Sequence, residues 1–154
     1  MNESRKTNQS AGRDFLVIGY GNTLRGDDGV GPRVAEAIEK LNLPGVRTLV
    51  CQQLSPEYAD PVSRAHIVVF VDAAVDAPKE VQWRKLEPGA SSQLMAHAAD
   101  PRTVLALARD VFGHAPQAWW LTIPALKVDF SETLTPEAQC GFAEAVEKIR
   151  SLCR

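Results

Sequence analysis

Two adjacent aspartates in a glycine-rich stretch are the first residues of this sequence that could do chemistry. The stretch "LVIGYGNTLRGDDGVG" passes from an apolar run into Asp27 and Asp28, which stand between glycines. Asp72 ends another apolar run, and His97 lies in the polar segment "SSQLMAHAAD". Two carboxylates and one imidazole that converge make a three-ligand metal site with open positions, as catalytic metals require. Such oxygen and nitrogen donors suit nickel, zinc, iron or manganese alike.

The same residue types also have an ordinary structural interpretation. Both adjacent aspartates are natural turn and N-cap residues, and Asp72 could simply end a strand. A lone histidine in a loop is more often a solvated surface residue than a ligand. His97 is nevertheless the strongest histidine candidate, because His66 begins a predicted buried strand and His114 sits in the connection "GHAPQ". The residues alone leave the structural and the chemical interpretation open.

Other chemistries are poorly supported by the motifs. Gly19 and Gly21 could open a dinucleotide fingerprint, but Leu24 occupies the third glycine position and no acidic residue ends the second predicted strand. Two carboxylates would also repel a pyrophosphate. The sequence contains no P-loop, no H-E-x-x-H and no G-x-S-x-G, and its cysteines lack the flanking motif of a thiol protease. Nucleotide binding and these hydrolytic mechanisms are therefore disfavoured.

Strands and helices must alternate to position these residues. Apolar runs predict five strands, at 14–20, 46–51, 66–73, 80–86 and 118–124, and helical spacing predicts helices at about 30–41, 56–64, 101–112 and 136–152. The third strand is apolar without interruption and should be central, whereas "EVQWRKL" alternates and should lie nearer an edge. The alternation predicts an α/β fold around a mostly parallel five-stranded sheet, with right-handed connections.

Three helix starts share one signal, a capping side chain followed by proline. Ser55, Asp100 and Thr135 each precede a proline, so each side chain should cap its helix. Apolar stripes are expected to face the sheet from the last two helices: Val104, Leu105, Leu107, Ala108, Val111 and Phe112 in one, and Phe142, Ala145, Val146, Ile149 and Leu152 in the other.

The predicted sheet also predicts where a ligand would bind. Ligands of open α/β sheets lie outside the carboxyl ends of the strands. In this sequence that rule indicates the loop after the first strand, 21–29, and the end of the third strand at Asp72. Both places carry carboxylates, so the fold should bring them to one edge.

Size and composition narrow the class of protein. The 154 residues suit one domain, expected at 13–154, behind a disordered tail at 1–12 that lacks the apolar core of a signal peptide. No apolar run is long enough to span a membrane. The net charge of −2, without a basic cluster, disfavours nucleic acid as a partner. Three widely spaced cysteines predict neither disulfides nor a zinc knuckle, and so indicate a reducing, cytoplasmic setting.

Three motifs in this order resemble one known family. The strings "GYGNTLRGDDGVG", "VDAAVD" and "HAADPRTVLALA", followed by "DFSETLTPE" before the last helix, resemble the nickel-iron hydrogenase maturation endopeptidases. The resemblance runs from about Asp14 to the end of the sequence. It implies a three-layer fold, in which a twisted, mostly parallel five-stranded sheet is flanked by helices on both faces.

The resemblance also implies an activity and a set of site residues. Members of the family remove a short C-terminal extension from the hydrogenase large-subunit precursor after nickel insertion. Their metal ligands, which would also be the catalytic residues, fall on Asp28, Asp72 and His97, with Asn22 and Asp27 as supporting residues. Nickel should arrive with the precursor, so we expect no permanently bound metal in the enzyme. We also expect no membrane insertion and a monomer.

Two differences from the family concern the substrate. The loop after the second strand reads "QQLSPEYAD" where many members are rich in glycine and threonine, and the fifth strand continues into "IPALKV" in place of the more usual turn. Both differences bear on which hydrogenase is processed. Two alternatives to a peptidase remain: a non-catalytic metal-binding or docking module of α/β fold, and an unrelated α/β binding domain whose aspartates only cap helices.

Overall fold

The computed structural model describes residues 14–75, 79–90 and 100–153. Within these ranges the strands are β1 (Phe15–Tyr20), β2 (Val46–Cys51), β3 (Ile67–Ala74), β4 (Gln82–Leu86) and β5 (Gln117–Pro124). The α-helices are α1 (Val30–Lys40), α2 (Ala59–Ser63), α3 (Pro101–Phe112) and α4 (Pro136–Leu152), and 3₁₀ turns occupy Gly26–Gly29 and Pro56–Tyr58. The predicted tail at 1–12 lies outside the described residues.

The strands form one sheet in the order β2, β1, β3, β5, β4. Neighbouring strands are parallel except for β4, which runs antiparallel to β5. The uninterrupted apolar strand β3 is central and the alternating strand β4 is at an edge, as the sequence predicted. The mostly parallel α/β sheet is therefore confirmed.

Helices cover both faces of the sheet, which gives three layers. On one face α2 and α3 pack over Leu16, Ile18, Val68 and Phe70. On the other, α1 and α4 pack over Val17, Val69, Leu121 and Ile123. Side chains alternate between faces along each strand, so Tyr20 and Asp72 fall on the same face as Ile18 and Phe70. This parity decides which residues can meet at the carboxyl edge.

Two of the three predicted helix caps are present. The Asp100 carboxylate accepts a hydrogen bond from the Arg102 backbone at 2.8 Å, and the Thr135 hydroxyl accepts one from Ala138 at 3.2 Å. The predicted Ser55 cap is wrong, because this side chain makes no capping bond and its hydroxyl instead donates to the Glu57 carboxylate at 2.9 Å. The segment predicted as a helix at 56–64 begins as a 3₁₀ turn and continues as the short helix α2.

The apolar stripe predicted for α3 is shorter than expected. Its first four residues are buried, but Val111 and Phe112 are 64% and 48% exposed. The helix ends at Gly113, which takes the left-handed conformation common at helix ends. In the last helix, Ala145 and Ile149 are fully buried as predicted. No helix in the described part of the chain is long and apolar enough to cross a membrane.

Candidate functional site

Asp28 lies on the 3₁₀ turn that follows β1 at the carboxyl edge of the sheet. Its Oδ2 accepts a hydrogen bond of 2.7 Å from the backbone N–H of Asn22, whose own Oδ1 accepts from the Leu24 backbone at 2.9 Å. The other carboxylate oxygen, Oδ1, has no hydrogen-bond partner among the described residues. Asp28 is half-buried, so its carboxylate is held at one oxygen and open at the other.

Glycines allow this turn to approach the strands closely. Gly21 has φ 144°, and a Cβ built there would lie 2.0 Å from the Asp28 carbonyl oxygen. A Cβ at Gly31 would lie 2.5 Å from the carbonyl oxygen of Val71 on β3. Side chains at either position would push the Asp28 turn away from the sheet. The glycines of the first motif are therefore explained by backbone packing and not by a phosphate.

Asp72 stands near the carboxyl end of the central strand β3. It pairs with Thr122 on β5, and because Gly19 pairs with Val71, Tyr20 is its neighbour toward β1. Burial and, to a smaller extent, the nearby charge of Asp28 raise the pKa of the Asp72 carboxyl, the adjacent Tyr20 hydroxyl and Ala73 backbone N–H lower it, and the net result is a pKa of about 6. The two predicted carboxylate ligands thus lie close enough at this edge to interact electrostatically.

Asp27 lies next to Asp28 in the sequence but is fully buried. Its Oδ2 accepts hydrogen bonds from the backbones of Leu126 and Lys127 at 2.9 and 3.2 Å. Thr135 donates its backbone N–H to Oδ1 and its hydroxyl to Oδ2, both at 2.8 Å. Successive side chains on a 3₁₀ turn point about 120° apart, which explains why one carboxylate faces inward and its neighbour does not.

These four donors make Asp27 an anchor between the two ends of the fold. Burial alone would raise the pKa of the Asp27 carboxyl, but the donors from Thr135, Leu126 and Lys127 outweigh burial and lower it below its usual value. Neither adjacent aspartate caps α1, since its N-cap is Gly29 without a side-chain bond. The capping alternative for this pair is therefore wrong, although Asp27 is structural in another way.

Tyr20 is a residue of this site that the sequence motifs did not indicate. Its side chain is 7% exposed, and its hydroxyl has no hydrogen bond of full geometry. Burial raises the pKa of the hydroxyl far above its ordinary value, and the neighbouring Asp72 charge adds to this, whereas the nearby indole N–H of Trp120 lowers it. The sequence feature that could have indicated Tyr20 is its place as a polar aromatic residue at the end of a buried strand, inside the glycine-rich motif.

His97, the predicted third ligand, lies outside the described residues. The nearest described position is Asp100, the N-cap of α3. Its charge contributes to the raised pKa of Tyr20, so the start of α3 lies near the same edge as Asp72. Within the ranges that the structure describes, no group of three or more metal-ligating side chains is present.

The described part of the site offers two carboxylates to a cation. Oxygen donors of this kind fit nickel, and they equally fit zinc, iron or manganese. Two interacting carboxylates at an open sheet edge can bind a divalent cation and can also accept a proton. A cleft of about 340 Å³ is lined among others by Asn22, Leu24 and Val50, and neither aspartate lines it. A cavity of about 750 Å³ lies elsewhere, along the edge strand β2.

Comparison with known proteins adds a short sequence match. No family model matches the chain. A curated protein of Methanocaldococcus jannaschii, provisionally named as a hydrogenase maturation protease, is 53% identical over 32 residues, which is 21% of this chain and 21% of that protein. The match therefore covers about a fifth of this relative's length.

Similar solved structures cover nearly the whole chain. The hydrogenase maturating endopeptidase HybD from Escherichia coli has a TM-score of 0.71 and 22% identity over 90% of this chain and 91% of its own. The nickel-iron hydrogenase maturation protease HycI from Thermococcus kodakarensis has a TM-score of 0.72 and 21% identity over 92% of both chains. These likenesses confirm the predicted fold, which is shared with structures of hydrogenase maturation endopeptidases.

Proposed function

We propose that this chain is an endopeptidase that removes the C-terminal extension of a nickel-iron hydrogenase large-subunit precursor after nickel insertion. The observation that carries the proposal is that Asp28 and Asp72 lie at the carboxyl edge of the sheet, where the charge of Asp28 raises the pKa of Asp72. The motif order and the shared fold support it, since the similar structures include hydrogenase maturation endopeptidases.

Asp28, Asp72 and His97 would hold the nickel ion of the precursor. When bound, the ion would polarise the scissile carbonyl and lower the pKa of a water molecule. Asn22 keeps one oxygen of Asp28 fixed through its backbone N–H, so the free oxygen can face the precursor. Either Asp28 or Asp72 would accept the proton of the attacking water and later return it to the leaving amine.

We further propose that the enzyme carries no permanently bound metal. Two carboxylates and one histidine would leave several coordination positions open, which suits capture of an ion better than its storage. An empty precursor would then lack the ion that joins the two proteins. Nickel occupancy would therefore decide which precursors bind and are processed.

The test uses a hydrogenase large-subunit precursor prepared with and without nickel and mixed with metal-stripped enzyme. We expect the nickel-loaded precursor to lose its extension, seen as a size shift, and the empty precursor to stay intact. Asp28→Asn and His97→Ala should stop the shift, whereas Asp60→Asn and His114→Ala, which change exposed residues of the same types, should not.

Three outcomes would count against different parts of the proposal. A chain that binds the precursor without shortening it would be a docking module. Equal cleavage of both precursors, or a requirement for zinc bound beforehand, would contradict nickel gating and leave the site assignment standing. Full activity in Asp28→Asn and His97→Ala would remove the site assignment itself.

Location and assembly complete the proposal. We propose that the protein acts in the cytoplasm as a monomer. The three cysteines are free thiols, which supports a reducing compartment. Fractionation of cells and light scattering of the purified protein would test these two statements.

A further inference from the structure

Two buried polar groups near Asp72 make no hydrogen bond of full geometry to any described residue. One is the hydroxyl of Tyr20, and the other is the indole Nε1 of Trp120. Buried donors without a partner are rare in folded proteins, and those that persist often have a role. The two groups lie on the same face of the sheet as Asp72, in the layer covered by α2 and α3.

The strand register places the three residues in one group. Tyr20 follows Gly19, which pairs with Val71, so it stands beside Asp72 across β1 and β3. On the other side, Asp72 pairs with Thr122, two residues after Trp120 on β5. Trp120 packs against the core cluster that contains Tyr20. All three side chains therefore lie on one face of the sheet, and along the strands they are at most two residues out of register with one another.

The hydrogen-bonding groups of the three side chains can be linked in only one order, from donor to acceptor. The indole N–H can only donate, the tyrosine hydroxyl can accept one hydrogen bond and donate another, and the ionised carboxylate can only accept. A chain from Trp120 to Tyr20 to Asp72 would therefore satisfy both orphan groups. The Arg84 guanidinium lies over the Trp120 ring, 5.2 Å from its centroid, and limits the freedom of the indole.

We propose that Trp120 and Tyr20 are positioning residues that close into a hydrogen-bonded chain onto Asp72 and fix the orientation of its carboxylate in the working enzyme. This inference rests on the proposed function. Partners that orient a ligand or catalytic group commonly change affinity or activity by about 10- to 100-fold when they are removed. The hydroxyl is buried, so it would act through Asp72 without touching the precursor.

The experiment compares Tyr20→Phe and Trp120→Phe with the wild-type chain and with Tyr58→Phe. Tyr58 lies on the second 3₁₀ turn, and its variant also removes a tyrosine hydroxyl, but one that interacts with Cys51 and not with Asp72. We expect Tyr20→Phe to lower kcat for the nickel-loaded precursor about 10-fold or more with little change in KM. Trp120→Phe should lower it less, and Tyr58→Phe should not change it.

A second measurement does not depend on activity. Melting temperatures are determined for Tyr20→Phe, Asp72→Asn and the double variant, and we expect the two shifts not to add, because residues in contact are coupled. If the wild-type protein is active and Tyr20→Phe leaves kcat unchanged, the inference is overturned and the proposed function stays intact. If the wild type processes no precursor, the proposed function fails, and additive melting shifts would then overturn the hydrogen-bonded chain as well.

Discussion

Asp27 and Asp28 are neighbours in sequence and opposites in environment. Asp27 is fully buried, and all the hydrogen bonds to its carboxylate come from the connection between β5 and α4. Asp28 is half-buried, accepts one backbone bond and keeps an oxygen open. The carboxylate with the most hydrogen bonds is therefore the structural one, and the carboxylate with fewer is available for chemistry. Local motif spacing cannot make this distinction, because both residues belong to the same motif.

The largest loss of stability is expected for Asp27→Ala. This change leaves the partly buried backbone donors of Leu126, Lys127 and Thr135 without their partner, so we expect a loss of about 3 kcal/mol in the free energy of unfolding. Asp28→Ala should cost far less. Urea unfolding of both variants measures the difference, and equal losses would contradict an anchoring role for Asp27.

The anchor also has a pH signature. The pKa of Asp27 is lowered in the folded protein, so its stabilisation is full above its unfolded pKa of about 3.9 and is lost as the pH falls through the lower folded value. Asp27→Asn should remove this part of the acid dependence. Unfolding curves between pH 7 and pH 2 would show it as a flatter acid limb.

Asp28→Asn tests the other half of the comparison. The amide keeps an oxygen that can accept from Asn22, so we expect the melting temperature to change little. Processing of the nickel-loaded precursor should fall at least about 100-fold, which corresponds to about 3 kcal/mol of transition-state stabilisation. A large loss of stability together with retained processing would show that Asp28 is structural like its neighbour.

Asp72→Asn should stabilise the protein, in contrast to the loss of stability expected for Asp27→Ala. Its folded pKa of about 6 lies above the unfolded value, so the ionised form is disfavoured in the native state at neutral pH. The amide should therefore raise the free energy of unfolding at pH 7 by about 1 to 3 kcal/mol. This gain should shrink as the pH falls from about 6 toward 4, where the wild-type carboxyl becomes protonated. Asp60→Asn, on the exposed side of α2, should show no comparable gain.

The smallest effect is expected for Asn22→Ala. The side chain loses its bond from the Leu24 backbone, worth about 1 kcal/mol or less, but the backbone N–H that holds Asp28 remains. Processing should therefore fall no more than about threefold. A loss as large as that of Asp28→Asn would indicate that the Asn22 side chain contacts the precursor directly.

Periodic local signals predicted most of the fold. The apolar runs and the proline-marked starts located the strands and the bounds of α3 and α4, because burial and capping depend on residues that are close in sequence. Ser55 carried the same start signal and did not cap, since its hydroxyl found the nearby Glu57 carboxylate instead. Val111 and Phe112 fit the helical period but are exposed. The spacing of apolar residues along a helix does not show how much of the helix is covered by other elements.

The site was predictable only in part, for a related reason. Parallel strands open at a common edge, so the position of Asp28 and Asp72 at the same edge of the sheet follows from topology. The anchoring of Asp27 and the position of Tyr20 beside Asp72 depend on pairings across the chain that no local pattern shows. The ligand role of His97 remains a prediction.

The Asp27 anchor has a consequence for the order of folding. Its hydrogen-bond partners lie 99 to 108 residues later in the chain, and contacts of such separation carry a high entropic cost and form late. A nascent chain that lacks the last third cannot lock the turn that carries Asp28. The carboxyl edge should therefore be completed only after the C-terminal helix has been synthesised and docked. The ability to process the precursor should then arise after release from the ribosome.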